Sequence, residues 1–113
     1  MPDESDIQAR LQALRTAYAE QLPDKLAEVA RQWAGMQAQP WSPEQAAVLH
    51  RQLHTLAGSA PTFGFADIGR RARQAERLLK AWSNALHGPG EGEAAELNGH
   101  IQALCTGHGD LRA

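Results

Sequence analysis

Apolar residues recur every three or four positions along most of the chain, and no stretch alternates in the manner of a strand. That period predicts helices throughout. The first runs from about Ser5 to Leu22, with Ile7, Leu11, Leu14, Tyr18 and Leu22 on one face. Pro23 is expected to break or restart the chain, because proline suits a first helical turn. A second helix follows from about Asp24 to Met36, with Leu26, Val29, Ala30 and Trp33 inward. Residues 37–41 form a connector, and Trp41 is expected to staple the next helix start. That third helix opens with Ser42 as N-cap, Pro43 at the first position and Gln45 completing a capping box, and continues to about Ala60.

Pro61 and Gly64 then turn the chain. The fourth helix, from about Phe65 to Leu86, buries Phe65, Ile68, Ala72, Ala75, Leu79, Trp82 and Leu86, and carries Arg70, Arg73, Arg77 and Lys80 outward. Phe63 and Phe65 are expected to pack the third helix against the fourth. Gly88-Pro89-Gly90-Glu91-Gly92 reads as a loop. The last helix, from about Glu93 to Cys105, turns Leu97, Ile101 and Leu104 inward, with Cys105 as a small core filler. Short loops between amphipathic helices favour antiparallel neighbours. The expected fold is therefore all-α, one domain over residues 1–113: an antiparallel up-and-down four-helix bundle of the second to fifth helices, with the first packed across one end.

One position departs from the apolar stripe with chemical meaning. On a wheel of about 100° per residue, Leu53, Leu56 and Ala60 fall within about 40° of Leu49, whereas His54 falls about 140° away. An imidazole is thus placed on the wet side of a helix whose other side is buried. Gly58, one turn on, leaves the space above it open at a cost of roughly 1 kcal/mol in helix propensity. An imidazole with an ordinary titration near pH 6.5 is largely neutral in the cell and keeps a nucleophilic lone pair.

The run His54, Leu56, Gly58, Ser59 and Gly64 resembles the signature of histidine-containing phosphotransfer (HPt) domains. The resemblance implies a helical bundle that accepts a phosphoryl group on His54 from a receiver-domain aspartate and passes it to another receiver. The partner supplies the aspartate and the magnesium, so this chain needs no cofactor. Ala57 departs from the pattern, since the family most often has lysine there. Lys80 and Arg77 are candidates to replace that charge, because long cationic side chains reach phosphoryl oxygens. Glu76 falls where many members place a glutamine beside the imidazole; it either orients His54 or pairs with Lys80, its i+4 neighbour. Gly58 and Ser59 complete the expected neighbours of the phosphoryl site, Ser59 more in a backbone-bonding role than a chemical one. Docking of the receiver is expected around His50, Ala57, Pro61 and Arg73.

Charge and composition narrow the alternatives. The 113 residues carry a formal net charge of −2, with no basic excess to hold nucleic acid. The single cysteine rules out an internal disulfide and a cysteine-based zinc site. No apolar run is long enough to span a bilayer, and the polar, acidic start is unlike a secretory signal, so a cytoplasmic monomer is expected. No glycine-rich stretch carries the lysine and hydroxyl of a nucleotide loop, so the chain is expected to have no ATP site and not to be an enzyme in its own right. Three other readings stand beside the relay: an HPt-like interaction module without transfer, the phosphoacceptor domain of a chemotaxis-type kinase, and a helical bundle that binds metal through His50 and His54.

Overall fold

The computed structural model describes residues 3–82 and 88–107. Four α-helices account for nearly all of them: α1 Glu4–Gln37, α2 Pro43–Ser59, α3 Ala66–Trp82 and α4 Glu91–Gly107, with a single 3-10 turn at Pro61–Phe63. Among the described residues there is no strand. Leu86, expected in the buried stripe of the fourth helix, lies outside them.

The expectation of five helices fails at Pro23. The first two predicted helices are one helix of 34 residues, so no separate helix packs across an end of the bundle. Proline removes one N–H from a helix interior and opposes helix continuation by about 3 kcal/mol. Tertiary burial outweighs that here. Tyr18, Leu22, Leu26, Val29, Trp33 and Met36 keep helical phase across the proline and are all buried, and each large apolar side chain so buried is worth about 1.5–3 kcal/mol. Asp3 caps the start, accepting from the Asp6 amide at 3.0 Å.

The other boundaries follow from local chemistry, with two corrections. Ser42 accepts from the Gln45 amide at 3.3 Å and Pro43 opens α2, but Gln45 does not close the capping box. Its Oε1 accepts from Gln32 of α1 at 2.7 Å instead. Helix α4 starts at Glu91, before the predicted Glu93, so only residues 88–90 are loop. Gly64 ends the 3-10 turn at φ 95°, a conformation that costs glycine nothing. Trp41 packs its indole on Gly88, where an added Cβ would lie 2.6 Å from the ring.

The core is continuous and apolar: Leu49, Leu53, Leu79, Leu97 and Leu104 are fully buried beside the α1 stripe. Two tryptophans tie α4 into place, Trp33 donating to Asn98 at 3.1 Å and Trp82 to Glu93 at 2.7 Å. Cys105 donates to the Leu26 carbonyl at 3.4 Å, and burial pushes its thiol up from the ordinary range. Phe63 and Phe65 pack against the core, and the turn that carries Phe63 lies against both α2 and α3; their ring partner is on α1. Both are half-buried beside Tyr18 of α1, Phe63 stacked on it at 4.7 Å and Phe65 tilted against it at 5.8 Å between ring centroids.

Candidate functional site

Small residues bring α2 and α3 together. Ala57 and Ala60 on one side and Ala72 and Ala75 on the other are all buried. Pro61 lies so close to Gly69 that a Cβ there would fall 2.4 Å from the proline ring. That close approach sets the lateral offset of the two helices and places Glu76 beside His54.

His54 Nδ1 lies 2.7 Å from Glu76 Oε1. The His54 side chain is 73% exposed and that of Glu76 only 17%, so an anchored carboxylate holds a solvent-facing ring. A carboxylate only accepts, so Nδ1 must donate. In the neutral ring the lone pair is then on Nε2, across the ring from Glu76. The contact is the one that an orienting role for Glu76 requires.

The same oxygen also faces His50, whose Nε2 lies 3.4 Å away. The two imidazoles stack, with centroids 6.2 Å apart and planes 10° from parallel. His50 therefore belongs to the carboxylate cluster and not only to an outer docking rim. The signal for this was its i+4 spacing from His54. Among the described residues, no group of three or more His, Cys, Asp or Glu side chains is placed to hold a metal ion.

His54, Ala57, Gly58, Arg73, Glu76, Arg77 and Lys80 line one depression of about 230 Å³. Three cationic side chains thus border the imidazole. A Cβ on Gly58 would meet nothing within 4 Å, so this rim is open.

Two predicted site residues are not where the sequence put them. Ala57, expected on the docking surface, is 3% exposed. It sits about 80° from Leu49 on the wheel, at the edge of the buried stripe, and α3 covers that edge because Gly69 allows it close. Ser59 takes the backbone-bonding role expected of it, donating to the Thr55 carbonyl at 2.8 Å, but its Oγ also lies 2.8 Å from Tyr18 Oη, so it faces α1 and not the phosphoryl site. Pro61 and Arg73 are exposed as expected. Gly69 escaped notice, although a glycine inside a helical stretch is itself a sign of close packing.

The family model described as Hpt domain matches residues 5–107. The chain belongs to the Hpt domain family. No curated protein and no solved structure gives a significant match. Membership implies histidine phosphotransfer in phosphorelays, in which Hpt domains act as carriers of the phosphoryl group. The helical bundle agrees with that membership. Among the described residues of this Hpt domain, no helix is long and apolar enough to cross a membrane.

Proposed function

We propose that His54 is the phosphoacceptor, and that this Hpt domain takes its phosphoryl group from a receiver-domain aspartate and delivers it to another receiver in the cytoplasm. The observation that carries the reading is the Glu76–His54 contact at 2.7 Å, on a ring otherwise open to solvent. With Nδ1 donating to Glu76, Nε2 attacks phosphorus. The N–P bond forms as the acyl O–P bond of the aspartyl phosphate breaks, and the aspartate carboxylate leaves. Glu76 offsets the positive charge that develops on the ring. Phosphoryl transfer depends mainly on positioning and charge stabilisation. The receiver supplies the aspartate and magnesium; Arg73, Arg77 and Lys80 border the place the phosphoryl group would occupy on this side. They take the role of the lysine absent at Ala57, whose buried position would in any case point a longer side chain along α3. Docking uses His50, Gly58, Pro61 and Arg73 around the ring.

The test is transfer from phosphorylated receiver domains of the same genome, with the label located by mass spectrometry. An acid-labile, alkali-stable phosphoryl group on His54 is expected, absent from His54→Gln and retained by His50→Gln. Glu76→Ala should slow transfer by about tenfold or more, while Glu76→Gln, which keeps an acceptor oxygen, loses less. Normal transfer to His54→Gln would overturn the assignment. Receiver binding without any transfer would make the chain an interaction module, and labelling only from an ATP-bound kinase would place it in a chemotaxis-type kinase.

A further inference from the structure

Ile7 at 48%, Leu11 at 42% and Leu14 at 54% are the only large apolar side chains left exposed among the described residues. All three lie on one helix and within about 40° of Tyr18 on its wheel. Their spacing of four and then three residues is that of a coiled-coil seam. They continue the stripe that α1 buries further along, onto a stretch of about 21 Å where residues 4–17 are all exposed. A helical stretch this short is marginal without a packed face. The stripe ends on the ledge made by Tyr18, Phe63 and Phe65.

The charges say what fits there. Asp3, Glu4 and Asp6 open the helix, and Arg10 and Arg15 follow two and three turns on. Lys25 Nζ sits 5.1 Å from the Tyr18 ring centre, at the foot of the stripe. A second copy laid antiparallel and centred on Leu11 puts Ile7 near the other copy's Leu14 and the acidic first turn near its Arg15 and Lys25. The two-fold repeats each of these pairings. A parallel copy would set Glu4 against Glu4 beside the seam and would crowd both bundles at one end.

We propose that residues 3–18 are a self-association surface, through which two copies of the chain pair antiparallel about Leu11. Four turns of helix make an interface at the low end of the usual size range, below about 1,200 Å², so the dimer is reversible and follows concentration. The relay chemistry needs one copy only; the stripe is a separate reason for two, and it does not depend on His54.

Sedimentation velocity on the full chain over a concentration series tests this. The average mass should climb from one chain toward two. Leu11→Lys should weaken association by about tenfold or more, while in dilute, monomeric chain the thermal midpoint stays that of the wild type, since the side chain is exposed in the monomer. Arg15→Glu should weaken it less, and adding Glu4→Arg, which lies on the same side of the seam, should restore it. In a Cys105→Ser background, Leu11→Cys should cross-link to itself, and Ile7→Cys should cross-link to Leu14→Cys but not to itself. A single-chain mass at the highest soluble concentration, a dimer indifferent to Leu11→Lys, or self-cross-linking of Ile7→Cys would each overturn the proposal. Binding of a strictly monomeric chain to anionic vesicles would overturn it in favour of a lipid surface.

Discussion

Residues 18–36 of α1 and residues 4–17 of the same helix follow one spacing rule. Six side chains of the first stretch are buried, while Ile7, Leu11 and Leu14 of the second are exposed. The amino acids do not explain the contrast, since leucine occurs in both. Length does. Helices α2, α3 and α4 have 17 residues each, against 34 in α1. At 1.5 Å per residue they reach about 26 Å along a helix of about 51 Å. They can cover half of it. Periodicity tells which face of a helix is apolar; the lengths of its neighbours decide how much of that face finds a partner within the same chain.

The largest effect should come from setting one leucine of each half against the other. Leu26→Ala should destabilise by about 2–5 kcal/mol, because Leu26 is fully enclosed and leaves a cavity. Leu11→Ala in dilute chain should stay within about 0.5 kcal/mol. Urea unfolding of both variants measures the difference. Similar losses would mean that the exposed half is held within the monomer after all, and that the contrast between the halves is wrong.

Pro23 lies near the junction and gives the next largest effect. Inside a continuous helix, Pro23→Ala restores an N–H and removes the steric conflict with the preceding turn, so it should stabilise by about 1–3 kcal/mol. At the first turn of a separate helix the same change would be neutral or harmful, because proline is well suited there. Thermal unfolding of the single variant separates the two arrangements.

The break expected at Pro23 shows where local sequence stopped being informative. Proline has a strong local preference, but the phase of Leu22 and Leu26 on either side already allowed one helix. What tipped the balance was burial against α2 and α4, which no window of α1 displays. The site divides in the same way. The outward placement of His54 and the inward placement of Leu49, Leu53 and Leu56 could be read from wheel angles alone. Ala57 could not, because its edge position is buried only through the close approach of Gly69 to Pro61. Neither could the sharing of one Glu76 oxygen between His50 and His54, which depends on the offset between two helices. Ser59 was misplaced for a similar reason: its partner is 41 positions away in sequence.

That partner, Tyr18, stands where the covered half of α1 gives way to the uncovered half, and it supplies the smallest effect. Its hydroxyl and Ser59 Oγ are 2.8 Å apart, and Ser59 already donates to the Thr55 carbonyl. Tyr18 must therefore donate to Ser59, the only direction left to a single hydroxyl proton. Tyr18→Phe should cost about 0.5–1.5 kcal/mol, the usual net worth of one such bond. The ring stays in place, so its packing against Phe63 and Phe65 is unaffected. Ser59→Ala also loses the donation to Thr55 and should cost at least as much, and the double variant little more than Ser59→Ala alone, since the Tyr18–Ser59 bond is then already gone. Measured by urea unfolding, additive losses would mean that the two hydroxyls act independently. The boundary of the covered half would then rest on aromatic packing alone, and Phe65→Ala would become the variant that moves it.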